Sequence, residues 1–540
     1  MKQIKAIYAN QIGYFCEDKK YGYVSFDTSD SKSENSGADG TFCLKTIDGN
    51  VVYNGNLSTP VYDKMADETI SCADFSDFKS EGKFVLCAGG KESFPFALNN
   101  KVYDDLYYSI LHYYTLSRCG CEVQDSVFGH KPCHTKPAVV YGTKEKKHVL
   151  GGWHDAGDYG RYIVASAKTV MDLLFAYEAA GDFSRFDILD EVRFELDWML
   201  QMQREDGAVY HKISCYNFCA FIVPEEETKT IVLAPVSTTA TADFAGCLAY
   251  ASKFYENRDK DFAEKLLSAA KKAQDYLDCH DDEIYENPPK ITTGCYGDIN
   301  VKDERYFALC GLFAATKDKK YLEKAKSERE KGKIFEPANK PFWFKTGWNE
   351  GFGWGIVSGY GSEILLKNAD LVQDEELLNE IKSAFTEQAE ELTKDSENEI
   401  FGYCFDRTMW GSNGAICDSA HTLFVASDIS GNKKYREIAK KQLDYILGCN
   451  PMNICYVTGN GTNSVKFPHH RQSGALGSAM PGMLSGGPAS GMHDSEAKKY
   501  LKDKPPLKSF LDLTGSYSTN EVAIYWNSAL VHLVARLQSK

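Results

Sequence analysis

The sequence has no long apolar run, no excess of basic residues and no regular cysteine framework. No apolar run reaches the roughly 18 residues of a membrane-spanning helix, so we expect no membrane segment. The formal net charge is −15. Nucleic acids and anionic membrane surfaces bind basic patches, so neither is an expected partner. The 17 cysteines are scattered and odd in number, which does not indicate a set of disulfides.

The amino terminus also lacks the basic and then apolar segments of a secretory signal peptide. Together with the cysteine pattern, this predicts a cytoplasmic protein, or an extracellular one if the sequence is a trimmed form. No feature of the sequence indicates a protein partner. The 540 residues, 43% of them hydrophobic and 13% aromatic, are typical of a globular chain of two or three domains.

Two regions with different periodicity divide the chain. Up to residue 98 it contains short segments rich in β-forming residues, separated by turn clusters, which predict a β-sandwich. The predicted strands cover residues 5–9, 21–26, 41–44, 50–53 and 82–87. From residue 99 to residue 540, apolar residues recur at helical spacing, which predicts one large all-α domain of paired helices closed into an (α/α)6 toroid. The predicted helices cover residues 103–117, 163–180, 185–203, 239–255, 262–279, 303–316, 320–330, 360–367, 375–394, 415–428, 433–447 and 520–537.

Two carboxylates stand three residues apart in the stretch Gly-Gly-Trp-His-Asp-Ala-Gly-Asp-Tyr-Gly-Arg-Tyr at residues 151–162. Asp155 and Asp158 there are able to share one water, which one holds and the other deprotonates. Aromatic neighbours such as Trp153 suit the flat faces of sugar rings. The alternative is a helix-capping loop, since Asp before an apolar periodic run is a common N-cap. The stretch alone supports both interpretations.

A third carboxylate, Glu521, stands at the predicted start of an otherwise apolar helix. Burial among apolar neighbours raises the pKa of a carboxyl group, which suits a general acid. The alternative is a capping box, because Ser518, Thr519 and Asn520 place cap residues ahead of a Glu.

A polar segment precedes this helix. Gly-Thr-Asn at residues 461–463 is followed by Pro-His-His-Arg at residues 468–471. His469, His470 and Arg471 are able to donate hydrogen bonds to sugar hydroxyls. Metal ligation and a simple polar loop are the alternatives.

Taken together, the three stretches resemble glycoside hydrolase family 9, the inverting cellulases and related β-glycosidases. The matching motifs are Trp-x-Asp-Ala-Gly-Asp-Tyr at residues 153–159, Gly-x-Asn then Pro-His-x-Arg at residues 461–471, and a closing pattern over residues 510–527. That closing pattern contains Phe510, Asp512, Tyr517, Asn520, Glu521, Ala523 and Asn527. Asn-Gln-Ile-Gly-Tyr at residues 10–14 is similar to the start of the immunoglobulin-like module that precedes many such catalytic domains.

The resemblance implies a role for each residue. Asp158 is expected to be the general base, Asp155 to help hold the attacking water, and Glu521 to be the general acid. A single displacement with inversion needs acid and base roughly 6.5–9.5 Å apart. Sugar contacts and supporting roles are expected for the remaining matched residues: His469, His470, Arg471, Asp512, Tyr517, Tyr525, Trp526 and Trp153. Trp343, Trp348, Trp354 and Trp410 are further candidate sugar platforms, although a single Trp is more often a core residue.

Two positions depart from the family pattern. Ser516 stands where many members have Asp, and Ala489 stands where Asn often follows the Pro of Gly-Gly-Pro. We expect both positions near the walls that face the substrate, where they bear on substrate length and preference.

Sulfur and imidazole side chains cluster just before the carboxylate pair. Zinc favours four such ligands, but the spacing matches no zinc-finger motif. The family resemblance implies a structural zinc held by Cys119, Cys133, His134 and His154, with Cys121 and His130 as alternatives. Calcium is also common in the family. Asp243, Asp303 and Glu304 are candidate oxygen ligands, although Asp303 and Glu304 suit the cap of the following helix equally well.

The expected function is therefore an inverting glycoside hydrolase, an endoglucanase that cleaves β-1,4-linked glucans or their oligosaccharides. The alternative within the same fold is an exo-acting β-glucosidase or β-glucosaminidase on short oligosaccharides, which a cytoplasmic location favours. A carbohydrate-binding protein without catalysis is disfavoured, because all three candidate catalytic carboxylates are present.

Overall fold

The computed structural model describes residues 3–27, 40–336 and 348–539. The chain divides into two compact units. The first comprises residues 1–113, 389–427 and 431–540, and the second comprises residues 114–388 and 428–430.

A β-sandwich forms the N-terminal region of the first unit. Its strands are β1 (Ile4–Tyr8), β2 (Gly13–Tyr14), β3 (Tyr21–Phe26), β4 (Thr41–Thr46), β5 (Val51–Asn56), β6 (Val61–Asp63), β7 (Glu68–Asp74), β8 (Gly82–Ala88), β9 (Lys91–Glu92) and β10 (Phe96–Leu98). One sheet has the order β1-β3-β7-β6 and the other β2-β10-β8-β4-β5, with β9 paired to β8. Inward-facing apolar side chains such as Val24, Leu44 and Leu86 fill the space between the sheets. The sandwich predicted for this region is confirmed.

Helices dominate the rest of the described chain. They are α1 (Asp104–Leu116), α2 (Ile163–Ala180), α3 (Ile188–Gln201), α4 (Thr238–Tyr255), α5 (Lys260–Cys279), α6 (Lys302–Thr316), α7 (Lys319–Lys333), α8 (Ser358–Lys367), α9 (Ala369–Val372), α10 (Glu375–Asn398), α11 (Ser412–Ser430), α12 (Lys433–Ile446), α13 (Arg471–Leu476), α14 (Ser495–Tyr500), α15 (Tyr517–Asn520) and α16 (Ile524–Gln538). Each of the twelve predicted helices overlaps one of these. The prediction of a sandwich followed by a largely helical region is therefore confirmed, while the domain boundary between residues 98 and 99 stays a prediction.

Helix α5 shows why the apolar spacing predicts these helices. Phe262, Leu266, Ala270 and Ala273 recur at intervals of three or four residues and are buried along one face. Asp259 caps the helix by accepting a hydrogen bond from the backbone N–H of Phe262 at 3.1 Å. In the second unit, α4 packs against α2, α5 and α6, and α6 also packs against α7 and α8.

The second unit also contains a sheet that an all-helical prediction missed. Its strands are β11 (Ala138–Val140), β12 (Lys146–Lys147), β13 (Arg161–Tyr162), β14 (Lys212–Cys215) and β15 (Ile231–Leu233), in the order β12-β11-β15-β14-β13. Strands of two to four residues are too short to show a period-2 pattern. The sheet matters for function because β13 follows the Asp155–Asp158 loop directly.

None of the helices in the described ranges combines the length and apolarity that crossing a bilayer requires.

Candidate active site and candidate metal centre

The loop that contains Asp155 and Asp158 does not cap the helix that follows it. Helix α2 begins at Ile163, and its N-cap residue is Tyr162, whose side chain makes no capping hydrogen bond. The capping interpretation of the two carboxylates is therefore wrong. Their side chains are bound in another way.

Each of these two carboxylates accepts a hydrogen bond from a tyrosine hydroxyl. Asp155 Oδ2 accepts from Tyr296 at 2.6 Å, and Asp158 Oδ2 accepts from Tyr162 at 3.1 Å. Asp158 Oδ2 also accepts the backbone N–H of Gly160 at 3.1 Å. Both carboxylates are buried, at 1% and 7% exposure. The hydrogen bonds fix both groups in orientation, as a pair that handles one water requires.

Tyr296 is a site residue that the sequence analysis missed. Its backbone has φ of 50°, in the left-handed region that non-glycine residues rarely adopt. Such strain concentrates at functional sites, where the surrounding structure enforces it. Trp354, a predicted sugar platform, contacts the Tyr296 ring edge-on at 5.0 Å. A tyrosine in an irregular stretch carries no spacing signal, so periodicity was unable to identify it.

Trp153 is fully buried. Its backbone N–H donates to Glu195 at 2.7 Å, and its indole N–H donates to Glu191 at 2.8 Å. Both glutamates lie on α3. Trp153 therefore has no exposed surface with which to make the predicted sugar contact. Its hydrogen bonds instead fix the start of the carboxylate loop.

Glu521, in the first unit, lies in extended backbone between two helices. Helix α15 ends at Asn520 and α16 begins at Ile524 with Ala523 as its N-cap, so the predicted start of the last helix was three to four residues too early. Neither α15 nor α16 has a side-chain cap, and the capping-box interpretation of Glu521 is therefore wrong. Glu521 is half-buried and forms a parallel β-bridge with His469.

A hydrogen-bond network holds His469 beside Glu521. The His469 backbone N–H donates to the Asn520 carbonyl at 2.8 Å, and its ring Nδ1 donates to the Thr514 carbonyl at 2.6 Å. Asp512 accepts the backbone N–H groups of Lys466 and Phe467, both at 2.8 Å, and so shapes the turn ahead of His469.

The other residues of this unit that are predicted to contact sugar expose little or only part of their side chains. His470 is buried and caps α13 by accepting the backbone N–H of Ser473 at 3.3 Å. Arg471 is the first residue of α13 and is 7% exposed. Trp526, also 7% exposed, packs so closely on Gly411 and Gly414 that a side chain at either glycine would overlap its ring. The half-buried Tyr525 contacts the Trp526 ring at 5.5 Å.

Tyr517 lies between His469 and the exposed Trp410. Its ring centroid is 5.9 Å from that of His469 and 5.2 Å from that of Trp410. Burial and the nearby carboxylates of Asp494 and Glu521 raise the pKa of its hydroxyl. These rings form an aromatic surface next to Glu521. Trp343 lies outside the described residues, and Trp348 donates its indole N–H to Glu350 at 3.1 Å.

The two departures from the family pattern have side chains that solvent does not reach, and their expected place near the substrate-facing walls stays a prediction. Ser516 and Ala489 are both fully buried. The Ser516 hydroxyl donates to Asp494 Oδ2 at 3.1 Å, so an aspartate at position 516 would place a second negative charge against Asp494. Burial alone would raise the pKa of Asp494, but hydrogen bonds from Ala497, Ser518 and Ser516 lower it.

The four predicted metal ligands do come together. One donor atom from each of Cys119, Cys133, His134 and His154 lies within 4.8 Å of all the others, and all four residues are buried. The Cys119 and Cys133 sulfurs are 3.7 Å apart, and the sulfur-to-nitrogen distances are 3.6 Å for Cys119–His134 and for Cys133–His154. Bond lengths of about 2.3 Å to sulfur and about 2.1 Å to nitrogen give tetrahedral edges of about 3.4–3.8 Å. The donor set therefore fits one tetrahedral ion, and neither Cys121 nor His130 belongs to it.

The surroundings of this group support a metal centre. His134 Nε2 donates to Glu227 at 3.2 Å, the carboxylate contact that commonly orients a metal-bound histidine. The backbone of His134 has φ of 52°, a second strained position. The backbone N–H of His154 donates to the Ser117 carbonyl at 2.8 Å, and that of Cys119 donates to Gly152 at 2.8 Å. The group thus fixes the backbone immediately before Asp155.

A separate group of buried carboxylates includes the candidate calcium ligands. Both carboxylate oxygens of Asp243 and of Glu304, and one of Asp303, are buried without a hydrogen-bond partner among the described residues. Burial and mutual repulsion raise the pKa of Asp243 and Glu304, and burial with repulsion from Asp303 raises that of Asp298 to about 7. Asp303 and Glu304 lie in the first turn of α6, yet Val301 is its N-cap and makes no side-chain cap. The oxygen-only chemistry suits a hard cation.

Comparison with known proteins agrees with this geometry. The model of glycosyl hydrolase family 9 matches residues 103–534, and that of the cellulase N-terminal ig-like domain matches residues 2–93. A cellodextrinase from Butyrivibrio fibrisolvens is 36% identical over 98% of each chain. Endoglucanase D from Acetivibrio thermocellus is 32% identical, covering 97% of this chain and 82% of its own.

Solved structures are similar over nearly the whole length. A single-mutant thermostable endoglucanase from Alicyclobacillus acidocaldarius has a TM-score of 0.88 at 29% identity, covering 99% of this chain and 100% of its own. A zinc-binding triple mutant of a family 9 endoglucanase has a TM-score of 0.88 at 29% identity, covering 98% of this chain and 100% of its own. The chain belongs to glycosyl hydrolase family 9. It is a glycoside hydrolase.

Proposed function

We propose that the chain cleaves β-1,4-glucosidic bonds of cellulose-type glucans and cello-oligosaccharides in a single displacement with inversion. The observation that supports this most is the pair of buried carboxylates, Asp155 and Asp158, each oriented by a tyrosine hydroxyl at a position of the family motif. A cellodextrinase and an endoglucanase among the relatives support the substrate class.

Asp158 is the general base of this proposal. It removes a proton from the water that attacks the anomeric carbon, and Asp155 holds that water. Tyr162 and Gly160 both donate to Asp158 Oδ2. The proton of the water is therefore transferred to the other carboxylate oxygen, Oδ1. Because the attack comes from the face opposite the leaving group, the product is the α-anomer.

Glu521 is the general acid, which protonates the glycosidic oxygen as the bond breaks. His469 is the residue best placed to contact the sugar beside it, because both its backbone and its ring are anchored next to Glu521. Asp512 supports both residues through the turn at Lys466 and Phe467. Tyr517 contributes an aromatic face, and Arg471 and Tyr525 are weaker candidates for sugar contacts.

The metal of the cysteine and histidine group is zinc in this proposal, since two thiolates and two imidazoles at tetrahedral spacing suit that ion. Cys119, Cys133, His134 and His154 would hold it. Bound zinc supplies structural cross-linking, because four protein ligands leave no open position for substrate. The carboxylate group of Asp243, Asp303 and Glu304 would hold calcium, which would neutralise their buried charges.

The second candidate is stepwise removal of sugars from one end of short oligosaccharides. The relative that favours it is the cellodextrinase, which is 36% identical. A cytoplasmic location, which stays a prediction, would favour this candidate, because polymeric cellulose does not enter cells.

Product analysis on soluble cello-oligosaccharides of increasing length tests both candidates. Following the anomeric protons by NMR during hydrolysis should show the α-anomer first. Internal cuts support the endoglucanase, and stepwise release from one end supports the exo-acting enzyme. Initial formation of the β-anomer would contradict the assigned roles, and no hydrolysis of any glucan would contradict the substrate class.

A further inference from the structure

Lys212, the first residue of β14, is a buried cation close to the carboxylate pair. It is fully buried, and its ammonium group donates to Asn287 Oδ1 at 2.8 Å, to the Thr293 hydroxyl at 3.1 Å, to the Thr293 carbonyl at 3.3 Å and to the Gly294 carbonyl. All four acceptors are uncharged. Burying a charge without a directly bonded counter-charge is costly, so a lysine at this position needs a compensating role.

Lys212 is connected to Asp158 through Tyr162. Lys212 is the register partner of Tyr162 in the antiparallel pair of β14 and β13. The ammonium nitrogen is 5.3 Å from the centre of the Tyr162 ring, within the range of a cation–π interaction. A cation over the ring holds it in place and makes its hydroxyl a stronger donor. That hydroxyl is the one that binds Asp158.

Lys212 is connected to Asp155 through the backbone that precedes Tyr296. By binding the carbonyls of Thr293 and Gly294, the ammonium group fixes the backbone just before Tyr296. Tyr296 has its strained φ of 50° at this point, and its hydroxyl binds Asp155. The rings of Tyr162 and Tyr296 also contact each other, with centroids 4.8 Å apart. One ammonium group therefore anchors both tyrosines.

We propose that Lys212 is the positioning residue of the base carboxylates: it orients Tyr162 and Tyr296 and supplies the positive charge that favours the ionised pair. This inference rests on the proposed function of Asp155 and Asp158. Burial lowers the pKa of Lys212 to about 8, and the negative charges of Asp158 and Asp155 oppose that effect. The electrostatic contribution thus agrees with the geometry.

The test is Lys212→Met, which keeps the length of the side chain and removes the charge and the donors. We expect kcat on cellotetraose to fall about 100-fold, since small displacements of catalytic groups have effects of this size, with KM changed less than about 3-fold. Lys147→Met is the matched control. Lys147 is a half-buried lysine of the same sheet, donates to the Gln203 carbonyl at 3.2 Å, and should leave kcat unchanged.

A second variant covers the case in which Lys212→Met does not fold. Lys212→Gln has an amide donor for Thr293 or Gly294 but no charge, and the same loss of kcat is expected. Combining the lysine variant with Tyr296→Phe should cost less than the product of the two single effects, because both act on Asp155. A wild-type kcat in the folded lysine variants, or fully multiplicative effects, would overturn the role of Lys212. An inactive wild-type enzyme would instead overturn the proposed function.

Discussion

The backbone N–H of Trp153 donates a 2.7 Å hydrogen bond to a carboxyl group that solvent does not reach, that of Glu195 on α3. One turn earlier on the same helix, Glu191 binds the Trp153 indole at 2.8 Å and forms a salt bridge with Arg118 at 2.9 Å. Helix α3 thus holds both the backbone and the side chain of Trp153, near the start of the carboxylate loop. The two glutamates differ in environment, since only Glu191 has a cationic partner in direct contact among the described residues.

Glu195 should make the stability of the enzyme depend on pH. Burial raises the pKa of its carboxyl from 4.5 to about 8. The folded state therefore retains a proton that the unfolded state releases, so this contribution to stability is fully present below pH 4.5 and is lost as pH rises through about 8. Glu195→Gln stays neutral and is able to accept the Trp153 N–H. We expect the variant to be more stable than the wild type at pH 9, by at least about 1 kcal/mol, and not at pH 5.

Urea unfolding of both proteins at pH 5, 7 and 9 measures this difference. Asp190→Asn, an exposed carboxylate on the same helix, is the control and should leave the pH dependence unchanged. Parallel pH curves for the wild type and Glu195→Gln would show that Glu195 does not hold its proton in the folded enzyme.

The acid and base roles of Glu521 and Asp158 are separable by the leaving group. Glu521→Gln should lower kcat on cellotetraose by about 10³-fold, because the glycosidic oxygen is no longer protonated. A dinitrophenyl cellobioside needs little protonation, so the same variant should retain most of its activity on that substrate. Asp158→Ala should lose both activities, since water must be deprotonated in either case. Equal losses of Glu521→Gln on both substrates would assign Glu521 a different role.

The metal group should affect stability more than catalysis. Metal analysis of the purified enzyme is expected to find one zinc bound by Cys119, Cys133, His134 and His154. Cys133→Ser should remove it and lower Tm by several degrees, while the folded variant keeps measurable hydrolysis. Cys121→Ser is the control, because Cys121 lies outside the donor set and should retain the zinc. Full zinc content in Cys133→Ser would exclude this assignment.

The sequence predicts the helices whose apolar residues recur at a regular spacing. It misses the short strands and the individual residues that are defined by single contacts. The spacing of Phe262, Leu266 and Ala270 was sufficient to place α5, because an apolar stripe recurs at each turn. The two-residue strand β13 has no such pattern. The motifs placed Asp155, Asp158 and Glu521, but the local capping alternatives were excluded only by the backbone at Tyr162 and Ala523.

Residues that support the site were beyond prediction for a related reason. Tyr296 is 141 positions from Asp155, and Lys212 reaches Thr293 across 81 positions. Contacts of this kind depend on how the loops fold, which local propensity does not specify. A strained backbone such as that of Tyr296 even opposes local preference, so it becomes visible only in the structure.

The N-terminal sandwich should contribute to the stability of the C-terminal segments in its own unit, through Gln11. Its side-chain oxygen accepts the backbone N–H of Asn463 at 2.7 Å, its amide donates to the Asn453 carbonyl at 3.2 Å, and its backbone N–H donates to Leu447 at 2.9 Å. Gln11→Ala removes both side-chain bonds and leaves the Asn463 N–H unsatisfied. We expect a loss of about 2 kcal/mol in unfolding free energy. Asn463 belongs to the motif that precedes His469, so KM for cellotetraose should also rise. Asn54→Ala, at an exposed position on β5, is the control and should change neither quantity. A Gln11→Ala variant as stable as that control would show that the side-chain contacts of Gln11 do not couple the sandwich to these segments.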